Sequence, residues 1–169
     1  MSGALSVNIL VSACLLGVDC RYCGTACPGE GMKNLIGRYR LIPVCPEQLG
    51  GLPTPRPPAE IRDGKVVTAS GDDVTEAFCR GANEALKLAE LFHCRCAILK
   101  SRSPSCGFGQ IYDGTFSGKL VPGNGITANL LHKAGLTVLN EENARTELER
   151  LSALPENQKS IKGKNREQN

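Results

Sequence analysis

The sequence predicts a single three-layer α/β domain with a mainly parallel β-sheet. Short apolar runs alternate with segments of helical periodicity, which is typical of that fold. The chain has 169 residues, about one domain's length, with no internal repeat or linker. Hydrophobic residues make up 41% of it and charged residues 22%, which excludes a wholly disordered or fibrous protein. We expect residues 1–154 to form the domain and residues 155–169, which lack apolar periodicity, to form a disordered tail.

Four apolar runs predict buried parallel strands, because each is short, rich in β-branched or aliphatic residues and followed by a turn or helix signal. They span residues 7–13, 39–44, 96–99 and 136–139. The second run is stopped by Pro46 and then by two consecutive glycines.

Three segments predict helices. The first follows Asp73, which forms a capping-box-like start with Glu76, and its apolar residues recur at helical spacing: Val74, Phe78, Ala82, Ala85, Ala89 and Phe92. The second spans residues 126–134 and stops at Gly135. The third, residues 142–154, is charged, is expected to be exposed and ends at Pro155.

The proline-rich stretch of residues 53–58 cannot lie within a sheet, because proline lacks the backbone N–H that a strand needs. We expect a rigid extended loop that walls a pocket. A surface connector without chemical consequence is the alternative.

The N-terminus favours the cytoplasm. Residues 1–17 contain no Lys or Arg, whereas a secretory signal needs a basic start and a longer apolar core. The alternative is a lipoprotein cleavage box, which residues 10–14 resemble. No run approaches the roughly 18 apolar residues of a membrane span.

Charge and aromatic content argue against a nucleic-acid partner. The net charge is +3, and residues 155–169 alone hold four Lys or Arg against two Asp or Glu. Aromatic residues are only 4% of the chain, and no basic stripe interleaves with them.

Nine cysteines are unusual for a cytoplasmic domain, where such residues more often bind metals or catalyse reactions than form disulfides. Cys14, Cys45 and Cys106 each lie at or shortly after the end of a predicted strand. Ligands of open parallel sheets bind outside those strand ends, so the three could converge on one site. Three thiolates suit a soft metal or an iron–sulfur cluster, and a cluster with three protein ligands leaves one iron open. The alternative is that these are small apolar residues at strand ends.

The other six cysteines fall into two groups. Cys20, Cys23 and Cys27 have metal-like spacing, so a zinc-binding interaction module remains an alternative function. The remaining three are predicted to be buried small hydrophobic residues: Cys79, Cys94 and Cys96.

Polar candidates lie near two of the strand-end cysteines. Glu47 follows Cys45 by two residues, close enough to share its site, and Ser103 lies among several serines before Cys106. The sequence argues against a hydrolase triad, because His93 and His132 are the only histidines and neither lies near a Gly-x-Ser-x-Gly turn.

Three motifs together resemble the thiouracil desulfidase family: ILVSACLLG at residues 9–17, PVCPEQLGGLPTPR at 43–56 and SPSCG at 103–107. Residues 71–75 and 111–116 also match, and the resemblance covers roughly residues 7–142. It departs from the family at Cys23, where an Asp usually follows Arg-Tyr.

The resemblance implies a [4Fe–4S] enzyme that removes sulfur from a thiocarbonyl base without net redox change. Its cluster ligands would be Cys14, Cys45 and Cys106. Glu47 would be the acid/base residue, and the Ser103 hydroxyl would help to hold the substrate. Some relatives carry a further domain and act on thiolated tRNA, whereas the modest charge here favours a free base or nucleoside. A cysteine-based sulfur carrier or transferase, which would form a persulfide, is a further alternative.

Overall fold

A parallel β-sheet of four strands, in the order β2-β1-β5-β8, forms the centre of the protein. The structure is a computed structural model and describes residues 7–153, so the predicted tail lies outside the described residues. In chain order the elements are β1 (Asn8–Ser12), 3₁₀-helices Ala13–Leu16 and Met32–Leu35, β2 (Arg40–Val44), α1 (Pro46–Leu49), β3 (Ala59–Arg62), β4 (Lys65–Thr68), α2 (Thr75–Leu91), β5 (Cys96–Leu99), β6 (Gln110–Tyr112), β7 (Leu120–Pro122), α3 (Ile126–Lys133), β8 (Thr137–Asn140) and α4 (Ala144–Ala153).

All three strand pairs of this sheet are parallel, with Ile9 opposite both Leu41 and Cys96, and Ala97 opposite Val138. The sheet strands are the four that the apolar runs predict, and no bound differs by more than one residue. The three predicted helices correspond to α2, α3 and α4. The predicted α/β fold with a mainly parallel sheet is confirmed.

Each face of the sheet buries a separate core, which makes the three layers. On one face the sheet packs against α2 and α3 through a core that includes Leu10, Val44, Ala85, Ala97, Ala128 and Leu131. On the other it packs against the 3₁₀-helices and α4 through Ile9, Val11, Leu15, Met32, Ile98 and Leu148. None of the helices described within residues 7–153 is long and apolar enough to span a membrane.

The predicted capping box of α2 is wrong. The Asp73 carboxylate accepts hydrogen bonds from the N–H and the hydroxyl of Thr75, and Thr75 begins the helix. Glu76 instead lies 4.0 Å from Arg80, one turn along the helix. In a capping box, the side chains of Asp73 and Glu76 would each accept from the other's backbone N–H. Here a short Asx turn at Asp73 takes its place, because the helix begins two residues after Asp73.

Two further expectations about burial are wrong. Cys79 is exposed, since the buried face of α2 passes through Phe78 and Ala82, and a neighbouring helical residue points about 100° away. Helix α4 is not wholly exposed, because Ala144 and Leu148 form a stripe that packs on the sheet. Cys94 and Cys96 are buried, as predicted.

Two antiparallel hairpins were not predicted: β3–β4 and β6–β7. The β3–β4 turn contains Asp63 and Gly64, both with positive φ, and Asp-Gly is the preferred pair for such a turn. The buried carboxylate of Glu60 joins the hairpins, since it accepts hydrogen bonds from the N–H groups of Gly114 and Phe116 at 2.9 and 3.0 Å.

Candidate functional site

Three cysteines lie at the carboxyl edge of the central sheet. Cys14 follows β1 in the first 3₁₀-helix, Cys45 directly follows β2, and Cys106 lies in the loop after β5. Because β2, β1 and β5 are parallel neighbours, these chain segments all leave the sheet at the same edge. Cys14 packs in one core and Cys106 in the other, so both layers contribute to the site.

The environment of these thiols is buried and electrostatically connected. Burial and, to a smaller extent, the neighbouring Cys45 raise the pKa of Cys14 to about 11, while Lys100 opposes the rise. Burial also raises the pKa of Cys106, with additional rises from Cys14 and Glu47. The three thiols and the Glu47 carboxylate therefore lie within electrostatic reach of one another.

Cys45 is the N-cap residue of α1, a helix of one turn that begins with Pro46. Proline suits the first position of a helix, because the N–H it lacks has no partner there. The Cys45 thiol donates to the Cys20 carbonyl oxygen at 3.7 Å. This local geometry places Glu47 in the first turn of α1, beside the Cys45 site.

Helix α1 is held against α2 at backbone contact. A Cβ on Gly50 would lie 2.0 Å from the Ala77 carbonyl oxygen, and one on Gly81 would lie 1.8 Å from that of Pro46. The Arg80 guanidinium donates to the Gly50 carbonyl at 2.7 and 2.9 Å. The two glycines thus set the position of the turn that carries Cys45 and Glu47.

Glu47 forms an ion pair with Arg56, a residue of the proline-rich loop. The Arg56 Nε donates to the Glu47 carboxylate Oε2 at 2.6 Å, and the two side chains are 5% and 17% exposed. The loop lies outside the sheets, as predicted, and leads directly into β3. Its side chains face the site, since Thr54 also accepts a hydrogen bond from Gln48 of α1.

Ser103 supports the loop that carries Cys106. Its hydroxyl oxygen accepts hydrogen bonds from the N–H groups of Ser105 and Cys106, both at 3.1 Å. The loop carbonyls in turn accept from the first N–H groups of α3, at 2.9 Å for both Ile126 to Pro104 and Thr127 to Ser105. The start of α3 therefore fixes the Cys106 loop against the sheet edge.

A second polar network joins the ends of β5 and β8. Lys100 forms an ion pair with Glu141, and the Ser101 N–H and hydroxyl also donate to Glu141, both at 2.8 Å. Burial by itself would raise the pKa of Glu141, but the hydrogen bonds from Lys100 and Ser101 hold it below its ordinary value. The Lys100 N–H donates to the hydroxyl of Ser12 at the end of β1.

Three residues of the site are not predicted from the sequence: Arg56, Lys100 and Glu141. A signal existed for the last two, because Lys100 directly follows one predicted strand and Glu141 follows another by two residues, much as the strand-end cysteines do. Arg56 gives no comparable signal, since its partner Glu47 lies nine residues away on a different element.

The second group of cysteines does not form a compact thiol cluster. Cys20 is buried, Cys27 is half-buried and Cys23 is exposed. Burial and, to a smaller extent, the neighbouring Cys45 raise the pKa of Cys20 to about 12. The Cys23 thiol forms a 3.0 Å hydrogen bond with the Thr25 hydroxyl, which lowers the pKa of Cys23.

The donor set fits a cluster better than a single ion. Within residues 7–153, no three His, Cys, Asp or Glu side chains gather around one position that could hold a metal ion. The zinc-module hypothesis lacks a preformed site there. A [4Fe–4S] cluster binds each cysteine to a different iron, so its ligands need not meet at one point. Three free thiols on adjacent strand ends, two of them buried, suit that arrangement.

Comparison with known proteins assigns the family. The model of the 2-thiouracil desulfurase family matches residues 9–143. The chain belongs to the 2-thiouracil desulfurase family. This desulfurase-family chain is 48% identical over 143 residues to the uncharacterized protein YbbK of Bacillus subtilis (strain 168), covering 79% of this chain and 95% of YbbK. It is also similar to the solved structure of the [4Fe–4S]-dependent thiouracil desulfidase TudS. That match has 44% identity and a TM-score of 0.82, and covers 88% of this chain and 100% of TudS.

Proposed function

We propose that the protein is a [4Fe–4S]-dependent desulfidase that converts a thiouracil-type base into the corresponding uracil and sulfide. One observation carries the proposal. Three free cysteines and a carboxylate lie at one sheet edge, in a chain 44% identical to the [4Fe–4S]-dependent thiouracil desulfidase TudS. Cys14, Cys45 and Cys106 are the proposed cluster ligands.

When bound by three cysteines, a [4Fe–4S] cluster supplies an iron with an open position, a Lewis acid suited to the soft sulfur of a thiocarbonyl. The three thiols must lose their protons to serve as ligands. Lys100 favours that loss at Cys14, where its positive charge lowers the pKa that burial raises.

Glu47 is the proposed acid/base residue. Its carboxylate accepts a proton from water while the water oxygen forms a bond to the ring carbon that carries the sulfur. The carbon–sulfur bond then breaks, and the proton held by Glu47 can pass to the departing sulfide. Water supplies the oxygen of the uracil product and both hydrogens of the hydrogen sulfide, so the reaction needs no oxidant or reductant.

Ser103 is the proposed substrate-holding hydroxyl. Its oxygen already accepts two backbone N–H groups, from Ser105 and Cys106. The hydroxyl hydrogen can therefore be donated to a nitrogen or oxygen of the substrate ring. The same side chain would couple substrate position to the Cys106 loop.

A free thiolated pyrimidine base or nucleoside is the proposed substrate, in the cytoplasm. Of the net charge of +3, residues 155–169 account for most, and aromatic residues are only 4% of the chain. A nucleic-acid surface usually combines a basic patch with stacking aromatics. All nine cysteines are free, as expected for a reducing compartment.

The test is anaerobic purification, with iron and sulfide counted and thiolated pyrimidines then assayed. We expect desulfuration that depends on bound iron. The Glu47→Gln variant should keep its iron but lose about 10²- to 10⁴-fold in turnover, because glutamine matches glutamate in size but cannot carry the proton. Full iron with an unchanged rate would refute the acid/base role. Activity without iron, together with a trapped persulfide, would favour the sulfur-carrier alternative.

A further inference from the structure

We infer that Arg56 is a positioning residue that fixes one carboxylate oxygen of Glu47 and leaves the other free to take the proton from water. The inference rests on the proposed function of Glu47. It adds a residue whose guanidinium connects three parts of the site: the acid/base group, the proline-rich loop and the loop that contains Cys20.

The Arg56 side chain has a hydrogen-bond partner at each of its three nitrogens. Nε donates to Glu47 Oε2 at 2.6 Å, and Nη2 donates to the Cys20 carbonyl at 3.0 Å. Nη1 donates to the Pro53 carbonyl at 3.1 Å and the Thr54 hydroxyl at 3.0 Å. With only 5% of the side chain exposed, water competes little for these bonds.

This arrangement makes the two oxygens of Glu47 inequivalent. Oε2 is held by the guanidinium, while no hydrogen bond to Oε1 is present among residues 7–153. A free glutamate side chain has several rotamers, and holding one oxygen removes most of that freedom. The structure thus assigns Oε1 as the atom that receives the proton.

Arg56 also stabilises the loop that contains Cys20 and lies next to Cys45. The Cys20 carbonyl accepts from both the Cys45 thiol and Arg56 Nη2. Once Cys45 binds iron as a thiolate, it has no hydrogen to donate, and Arg56 still satisfies this carbonyl. The loop can keep its place when the cluster binds.

Only an arginine can make this set of bonds. Its planar guanidinium presents five N–H donors in a fixed fork, whereas lysine has a single nitrogen. An Arg56→Lys variant can keep the ion pair with Glu47 but cannot reach the Cys20 and Pro53 carbonyls at the same time. We therefore expect partial rather than full function from lysine.

A double-mutant cycle in the iron-loaded protein tests the inference. Arg56→Met should lower kcat, expressed per bound cluster, roughly 10²-fold, the loss typical of a misplaced catalytic group, with KM little changed. In the Glu47→Gln background, Arg56→Met should cause no further loss, because Arg56 acts through Glu47. Arg56→Lys should recover part of kcat. The control is Arg62→Met, because Arg62 also donates to a backbone carbonyl, that of Gly114, but in the hairpin pair.

An equal loss of kcat from Arg56→Met in both backgrounds, or no loss at all, would overturn the inference. If Arg56→Met does not fold, the same cycle is run with Arg56→Lys. Crystal structures of the parent and of Arg56→Met give a readout besides activity: Glu47 should shift or show two orientations in the variant, because the guanidinium that holds Oε2 is absent. An unmoved Glu47 would also overturn the inference. A parent protein that holds its cluster but desulfurates no thiolated pyrimidine would refute the proposed function, and the structures would still decide the role of Arg56.

Discussion

Each cysteine's place in the fold, rather than its burial, separates the proposed ligands from the others. Cys96 is as buried as Cys106, and burial raises the pKa of both thiols. Cys96, however, begins β5, at the opposite end of the strand from the site. A thiol there packs as a small hydrophobic side chain.

Replacing a proposed ligand should remove the cluster. We expect Cys106→Ala to lose bound iron and desulfuration together. Only two of the three proposed cysteine ligands remain in this variant, and two thiolates do not hold a four-iron cluster. The matched control is Cys79→Ala, because Cys79 is exposed on α2. This variant should keep its bound iron and its desulfuration activity. The cluster content of both variants is measured by iron and sulfide analysis and by the visible absorption spectrum. A full cluster in Cys106→Ala would contradict the ligand assignment.

Cys23 occupies the position where the family usually has an aspartate, and we expect Cys23→Asp to be tolerated. The Cys23 side chain is exposed, and within residues 7–153 its one hydrogen-bond partner is the Thr25 hydroxyl. A carboxylate can accept the same hydrogen bond. Iron content and turnover should match those of the parent, and a drop in iron would show that Cys23 takes part in cluster binding.

At the scale of elements, the contact between α1 and α2 determines where Cys45 and Glu47 lie. Alanine at position 81 would favour the helix by about 1 kcal/mol through its propensity. A methyl group 1.8 Å from the Pro46 oxygen cannot be accommodated, however, and forced overpacking typically costs about 1–3 kcal/mol. The steric cost should exceed the gain in propensity.

The Gly81→Ala variant should therefore have a lower melting temperature and bind less iron, because α1 must move away from α2. Asn83→Ala is the control, since Asn83 lies on the exposed face of the same helix. Calorimetry and iron analysis of both variants check the prediction. A Gly81→Ala protein as stable and as rich in iron as the parent would mean that α1 does not need this contact.

At the scale of the whole molecule, the network around Glu141 links β8 to the part of the sheet that carries the site. Glu141 directly follows β8, and its partners Lys100 and Ser101 directly follow β5. Its pKa lies below the ordinary 4.5 in the folded protein, so folding favours the carboxylate. This contribution to stability is present above the ordinary pKa and is lost as the pH falls through the lower pKa of the folded state.

We predict that Glu141→Gln lowers the free energy of unfolding by about 1–3 kcal/mol at pH 7, the range for loss of a charged hydrogen-bond partner. The difference between parent and variant should shrink as the pH falls below 4.5, where the parent's carboxylate also becomes protonated. Denaturant unfolding at several pH values measures this. Glu142→Gln is the control, because that carboxylate is largely exposed. A difference that does not change with pH would contradict the role of the Glu141 charge.

Local patterns explain which parts of the fold could be predicted. The central strands β1 and β5 are almost wholly buried, and the edge strands β2 and β8 keep short apolar stretches, so all four are recognisable as apolar runs. The hairpin strands are only three or four residues long, and periodicity over so few residues is weak. The positions of Cys14, Cys45 and Cys106 at strand ends could be expected from parallel topology alone.

The sequence by itself determined the fold class, the family and the residue types available for chemistry, because each depends on local patterns or on motifs in order along the chain. The tertiary structure alone decided that Arg56 pairs with Glu47, that Lys100 and Glu141 join two strand ends, and that Cys79 is exposed. Those outcomes depend on side-chain direction and on segments brought together from different elements. Hydrogen bonds extend only about 3 Å, so spacing along the chain cannot reveal such pairings before the chain is folded.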